Sequence, residues 1–247
     1  MAKGIYALFA VTAYAIFFAT FLYLIAFVGD VSMAVKTVDS GPTGNLFAAL
    51  IIDLLLIAAF GLQHSIMARQ SFKSALAHAV PKPIERSIYV LASSVVLMIL
   101  FTFWQPIAGD IWRVENNVLS IILWVLFASG WLIVLFSTFL LNHFELFGLQ
   151  QVYFHARDRP AAAPQLREPL FYKLVRHPLY SGFFIAFWAT PHMTAGHLLL
   201  AIGMSIYMLI AIQYEERDMI DMFGSDYENY RERVGMLSPR LRGRANR

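Results

Sequence analysis

Four stretches of this chain are too long and too apolar to sit comfortably inside a soluble domain. They run roughly Gly4–Val28, Leu46–Met67, Ser87–Trp104 and Val118–Leu141. A helix needs about 20 apolar residues to cross the hydrocarbon of a bilayer, and in lipid the backbone must satisfy its own hydrogen bonds. Each run therefore predicts a membrane helix. The composition points the same way: 59% of the 247 residues are hydrophobic and 14% charged, against roughly half and a quarter in soluble domains. The expectation is an all-α integral membrane protein folded as a single domain, 1–247, with a four-helix membrane part (1–141) followed by a part (142–247) that faces one side of the bilayer. The uncharged run after Lys3 exceeds the apolar core of a signal peptide and has no small-x-small closing pattern, so it reads as the first membrane helix.

A fifth apolar unit is different. Leu179–Thr190 has 12 residues, about 18 Å as a helix, too short to cross alone. Pro191 to Gly196 interrupt it and Leu198–Gln213 follows. The pattern predicts a helical hairpin over 178–213 that enters the membrane and returns. Lysine and arginine set the orientation. The 30–45 and 105–117 loops carry one each, the 68–86 loop four, the 142–178 stretch five, and the tail from Arg217 onward seven. Poor and rich loops alternate, so both termini and the rich loops are expected in the cytoplasm of a multi-pass inner-membrane protein. With a net charge of +3 placed beside apolar spans, anionic lipid headgroups are the expected partner rather than nucleic acid. Ser225-Asp226-Tyr227-Glu228 has a capping-box pattern, and Phe223, Tyr227, Tyr230 and Val234 repeat at helical spacing. They predict an amphipathic helix over 226–234 against the cytoplasmic face, ended by Gly235, with the last ten residues solvated or touching lipid.

The absence of cysteine removes disulfides, thiolate metal sites and cysteine nucleophiles together, and no metal is expected. Arg176-His177-Pro178-Leu179-Tyr180-Ser181-Gly182 places a proline where a helix starts. The free amides of that first turn, with Arg176 beside them, suit a carboxylate, and Gly182 would let a ligand or another backbone approach closely. The alternative is an ordinary helix start with interfacial basic residues. Tyr214-Glu215-Glu216-Arg217-Asp218 returns to the same side at the end of the hairpin. Its carboxylates could take an amino group, ribose hydroxyls or a nearby sulfonium, or be a solvated helix end. Asp53, inside the second span, is a functional candidate by position. Gln63-His64-Ser65 lies near the end of that span, and His64 could accept a proton near neutral pH or serve as an interfacial hydrogen-bonding residue. Asn142-His143-Phe144-Glu145 follows the fourth span on the side where it could complete a pocket. His192 and His197 fall in the hairpin's turn and read as structural.

As a set, Arg176-His177-Pro178-x-Tyr180-x-Gly182, Glu215-Glu216-Arg217 and Phe223-Gly224-x-x-Tyr227-x-x-Tyr230 resemble the isoprenylcysteine carboxyl methyltransferase superfamily over residues 140–240. These are membrane enzymes that bind S-adenosylmethionine in a cytoplasmic pocket. Gly61-Leu62-Gln63-His64-Ser65-x-Met67-Ala68-Arg69, Pro83-Ile84-Glu85-Arg86 and Asn142-His143-Phe144-Glu145-Leu146-Phe147-Gly148-Leu149 are similar to its methanethiol S-methyltransferase branch. The Gln63-His64-Ser65 half is also similar to nitrite-reduction-associated NnrU-like membrane proteins. The protein carboxyl methyltransferases place an arginine about one turn before the acidic pair; here Leu209-Ile210-Ala211-Ile212 occupies that stretch, an apolar wall suited to a small neutral thiol.

The resemblance implies methyl transfer from S-adenosylmethionine to a small volatile thiol, with S-adenosylhomocysteine as by-product. Methanethiol would yield dimethyl sulfide. It assigns cofactor binding to Arg176, His177, Pro178, Tyr180, Gly182, Tyr214, Glu215 and Glu216. Catalysis would fall to His64, with His143 and Glu145 as further candidates, and Asp53, Gln63 and Arg217 would border the substrate. Methylation of another acceptor, such as a protein or lipid carboxylate or amine, and a non-catalytic NnrU-like membrane protein remain the alternative readings.

Overall fold

The computed structural model describes residues 2–160 and 165–240; the end of the tail, expected as solvated or lipid-touching, lies mostly outside them. Five helices are long and apolar enough to cross a membrane: α1 (Ala2–Val28), α2 (Leu46–Ala68), α4 (Glu85–Phe103), α5 (Asn117–Leu141) and α9 (Ala195–Phe223). The chain is a multi-pass membrane protein. Large apolar side chains such as Leu8, Leu55, Val118 and Ile121 are well exposed along these helices, an arrangement that lipid satisfies and water does not. Between and after the spans lie the short helices α3 (Gln70–Leu76), α6 (His143–Leu146), α7 (Leu149–Ala156), α8 (Pro178–Trp188) and α10 (Ser225–Arg233).

Local chemistry sets several boundaries. The Asn45 side chain caps α2 by accepting from the amides of Phe47 and Ala48, Asn116 caps α5 through Leu119, and Thr194 caps α9 through His197; each satisfies an amide that a helix start leaves open. Pro178 opens α8, as its fixed φ favours. The capping box expected at Ser225 does not form. Gly224 occupies the cap position at φ 53°, where glycine is favoured, and no side chain caps α10.

The hairpin departs from expectation in its return arm, which does not stop at Gln213 but continues without a break to Phe223. The residues that follow the apolar run, glutamate, arginine and methionine among them, are good helix formers. The hairpin's turn breaks the helix where Pro191 to Gly196 were expected to, and does so as an extended segment. His192–Thr194 forms strand β2, which pairs antiparallel with β1 (Asp110–Arg113) in the loop between α4 and α5. That loop lies at the lysine- and arginine-poor end of the bundle, the far end. Although α8 has only 11 residues, the extended segment after it completes the traverse, and the pair spans from the basic end to the far end.

The core sits in the far half, around Phe27, Leu100, Trp104, Phe187 and Ala201. The tightest helix contact joins α5 and α8. A Cβ added to Gly182 would stand 2.7 Å from the Gly130 carbonyl oxygen, and one added to Gly130 would stand 2.7 Å from the Ala186 nitrogen. Small residues here let two backbones touch, the usual means of packing helices in lipid. Of the two close approaches expected at Gly182, a ligand's or another backbone's, the structure shows the backbone's.

Candidate active site

Two cavities open between the helices. One, ≈ 260 Å³, is an apolar chamber among α1, α2, α4, α5, α8 and α9, walled by residues such as Phe17, Phe21, Leu97, Phe183 and Met204. The other, ≈ 250 Å³, is a charged vestibule toward the basic end, bordered by Arg69, Tyr214, Glu215 and Asp218. Five residues belong to both walls: His64, Arg86, Tyr89, Tyr180 and Tyr207. They form a neck through which the two spaces meet. Helical periodicity explains the lining. Tyr207, Ala211, Tyr214, Glu215 and Asp218 share one face of α9, and His64 and Ala68 share one face of α2.

The acidic pair splits in role. Glu216 is buried, with its side chain 5% exposed. Its Oε1 accepts from Arg176 Nε at 2.7 Å and lies 3.1 Å from His177 Nε2; its Oε2 lies 3.1 Å from Arg231 Nε. Arg176 Nη1 also donates to the carbonyls of Arg231 and Val234, at 3.1 and 2.6 Å. The tail is thereby strapped over the start of α8. The amides of Arg176 and His177 donate to the carbonyls of Gly235 and Met236, and Ser181 Oγ donates to that of Leu237. Tyr230 donates to the Tyr172 carbonyl at 2.6 Å, and burial pushes its hydroxyl up to about 12. Arg176, His177, Pro178, Gly182 and Glu216 line neither cavity. Glu215, one residue on and so rotated about 100° around α9, points into the vestibule with half its side chain exposed, its Oε2 3.9 Å from His177 Nδ1. Of the eight residues expected at the cofactor, Tyr180, Tyr214 and Glu215 reach the cavities; Arg176, His177 and Glu216 are the buried cluster behind them.

The three catalytic candidates separate as sharply. Ser93 donates its one hydroxyl proton to the Tyr89 carbonyl at 3.0 Å. It must then accept from His64 Nδ1–H at 3.1 Å, which leaves His64 Nε2 as a bare acceptor at the neck. His143 follows the same logic to the opposite end. Thr138 donates to the Leu135 carbonyl, so His143 Nδ1–H donates to Thr138 Oγ1, and Nε2 accepts from the Tyr14 hydroxyl, both at 2.8 Å. With both nitrogens engaged, the ring borders the chamber as a wall, stacked on Phe139 at 4.2 Å. Burial holds its pKa below the ordinary histidine value. Glu145 is exposed, accepts from Asn142 Nδ2 at 2.9 Å and lines neither cavity.

The three expected substrate-border residues lie elsewhere. Asp53 is fully buried toward the far end, accepting from the Gln105 amide at 2.9 Å. Eleven residues along α2 separate it from His64, about 16 Å. Gln63 donates to Ser93 Oγ at 3.3 Å, and Arg217 is exposed, its guanidinium 5.6 Å from the Tyr214 ring. His192 and His197 are structural, as expected. His192 contacts Asp110 and Arg113 beside the strand pair, and His197 Nε2 reaches the Phe187 carbonyl at 3.0 Å. Tyr89 and Tyr207 had no part in the sequence reading, Arg69 and Arg86 stood only within motifs and without a role, and Asp218 was one of the carboxylates of the Tyr214–Asp218 segment. For Arg86, its place one residue into an apolar helix is a signal that could have given it a role.

The family model described as NnrU protein matches residues 52–240, most of the chain. The chain belongs to the NnrU family. The matched region holds all five neck residues and the whole Glu216 cluster, and leaves out α1. The chain is 49% identical to Methanethiol S-methyltransferase 1 of Bradyrhizobium diazoefficiens, covering 96% of this chain and 83% of the relative. It is 51% identical to Methanethiol S-methyltransferase of Pseudomonas deceptionensis, covering 87% and 82%. It is 46% identical to that of Mycobacterium tuberculosis, covering 94% and 95%. No solved structure matches.

Proposed function

We propose that this NnrU-family protein is a membrane methyltransferase that transfers a methyl group from S-adenosylmethionine to methanethiol, releasing dimethyl sulfide. The observation that carries the reading is the near-full-length identity, 46–51%, to three proteins named for that reaction. The two-compartment site supports it. The donor is zwitterionic at one end, cationic at its sulfonium and hydroxylated at its ribose; the acceptor is small and apolar. The vestibule's side chains fit the former: Glu215 and Asp218 for the amino group and ribose hydroxyls, Arg69 for the carboxylate, and tyrosine faces for a cation. The chamber wall fits the latter.

Once bound, the donor supplies an electrophilic methyl group on a positive sulfur. The chain's own residues do the rest. Glu215 and Asp218 place negative charge in the vestibule. The Arg176–Glu216–His177 cluster fixes α8 against α9, and with them the position of Glu215. Tyr89, Tyr180 and Tyr207 narrow the neck and exclude water, which favours charge cancellation between a thiolate and a sulfonium over two separately hydrated ions. His64 Nε2 is the acceptor for the thiol proton. The lysine- and arginine-rich end faces the cytoplasm of a bacterial inner membrane, against anionic headgroups. Both termini and the vestibule are on that side, where the donor is found.

The test is headspace gas chromatography on cells given methanethiol, with and without the gene, in a host that lacks the activity. Dimethyl sulfide above the empty-vector level is expected. Its absence, together with calorimetry showing no binding of S-adenosylmethionine to the purified protein, overturns the assignment. A panel of thiol, carboxylate and amine acceptors with labelled donor distinguishes a different acceptor.

A further inference from the structure

The chamber and the vestibule differ in charge in a way that the reaction named above does not require. Among the described residues, the vestibule carries both signs, with Arg69 and Arg86 facing Glu215 and Asp218. The chamber wall is apolar, hydroxyl-bearing or imidazole throughout, except for one fixed charge, Arg86. Nothing anionic lines that space.

Arg86 is half-buried in the first turn of α4. Its Nε donates to the Leu146 carbonyl at 2.7 Å and its guanidinium lies 4.9 Å from the centre of the Tyr89 ring. These contacts hold the plane of the group. Among the described residues no carboxylate comes within 4.0 Å of it, whereas Arg176, also sheltered, is paired at 2.7 Å. Glu145 and Glu85 act on it only from beyond ion-pair distance, and a sheltered cation without a close partner is costly. Its charge suits a visiting anion, and an anion that also fits this chamber has to be small and otherwise apolar.

Resting on the methyltransferase reading, we propose that Arg86 holds the acceptor in its ionised form, so that the inner side of the neck is a binding site for small alkyl thiolates. An alkyl thiol is ordinarily protonated at neutral pH, and the thiolate is the nucleophile. The S–H proton passes to His64 Nε2. A sulfur lone pair then forms the new S–C bond while the donor's S–C bond breaks, that electron pair staying on the donor sulfur. Thiolate and sulfonium charges cancel, and two neutral thioethers result. The product no longer carries the charge that Arg86 held, so the site that retains the substrate releases the product.

The experiment uses the purified full-length protein in detergent, as wild type, Arg86→Lys and Arg86→Gln. It compares ethanethiol with trifluoroethanethiol, a thiol of similar shape that ionises more readily because the fluorines withdraw electron density. Binding of S-adenosylmethionine is measured by calorimetry alongside. For Arg86→Gln, kcat/KM with ethanethiol falls by about 100-fold or more, the scale for removing one charge-stabilising donor. With trifluoroethanethiol the loss shrinks to about tenfold or less, Arg86→Lys is intermediate, and donor affinity changes by less than about threefold. Thiocyanate provides a check on the wild type that does not depend on the variants folding. As a small, weakly hydrated anion it should compete with the thiol and not with S-adenosylmethionine. Equal losses with both thiols, a loss confined to donor affinity, or thiocyanate competing only with the donor each overturn the proposal; the second would put Arg86 on the donor's carboxylate. A wild type that methylates no thiol refutes the methyltransferase reading itself. An active wild type with an unimpaired Arg86→Gln variant removes Arg86 alone.

Discussion

Replacing Glu216 and Glu215 by glutamine one at a time should produce opposite failures, although the two residues are adjacent. Glu216 has a side chain 5% exposed, and its principal partner Arg176 is 11% exposed. Removing the charge strands a sheltered guanidinium, which costs about 3–5 kcal/mol when one partner of a buried pair is lost. Two features bring the figure toward the lower end. Arg176 keeps its bonds to the Arg231 and Val234 carbonyls, and Arg231 is 41% exposed and screened by solvent. At roughly 2–4 °C per kcal/mol for a chain of this size, Glu216→Gln should melt about 10 °C lower than wild type. The tail past Arg231 should also become open to limited proteolysis, because the strap over α8 depends on Arg176. Glu215→Gln should shift the melting point by less than about 2 °C, since a half-exposed carboxylate without a close cationic partner contributes little. It should instead weaken S-adenosylmethionine binding by about tenfold, the loss of one charge-assisted contact. Differential scanning fluorimetry in detergent and calorimetric titration of the donor read the two effects separately. If Glu215→Gln proves the less stable variant, or Glu216→Gln melts like wild type, the division of the pair into a structural and a ligand-facing carboxylate is refuted.

Gly182→Ala places a methyl group 2.7 Å from the Gly130 carbonyl; α5 and α8 must separate, at a cost of about 1–3 kcal/mol, and an unchanged melting temperature would contradict the close packing. His64→Ala should lower kcat by about 100-fold or more while leaving donor affinity intact, the usual size of a general-base effect; unchanged turnover at saturating thiol removes His64 from that role. Burial lowers the pKa of the His143 ring from its ordinary value. The unfolded chain therefore binds more protons below about pH 6.5, and stability present above that pH is lost as pH falls. Melting temperatures measured from pH 7.5 to 5 should decline, and His143→Gln should flatten the decline; equal slopes would show that His143 does not contribute to it.

How far the site could be read from sequence differs by residue. The Arg176–Gly182 segment and the acidic pair do meet, at the end of the hairpin where the basic loops gather. Their meeting followed from the folded-back apolar run and the proline that starts it. What they do there did not follow. Glu215 and Glu216 are neighbours in sequence and point about 100° apart on a helix, so which one meets Arg176 depends on how α9 is turned against α8. His64 and His143 look alike as histidines near span ends. They differ because the hydroxyl beside each is already donating to a backbone carbonyl, and only for His143 does a second hydroxyl, from Tyr14 on α1, fill the other nitrogen. Asp53 stood out because charge is rare inside a span, yet its carboxylate meets the Gln105 amide at the far end. Rarity shows that a residue has a partner, not which partner it has.

The spans were legible in the chain alone, to within two residues at most boundaries, and so was the folding back of a short apolar segment beside the last long one. The reason is that lipid tests every residue of a crossing helix on its own terms, so apolar length is enough. The pairing of the hairpin's turn with the far loop, the burial of Glu216 while Glu215 faces the vestibule, and the place of Arg86 beside an apolar chamber without a close ion-pair partner come from the packing of the helices. Those facts depend on which faces of six helices meet. Between helices in lipid there is little hydrophobic preference to announce the choice in advance; close packing and polar pairing make it only once the helices are together.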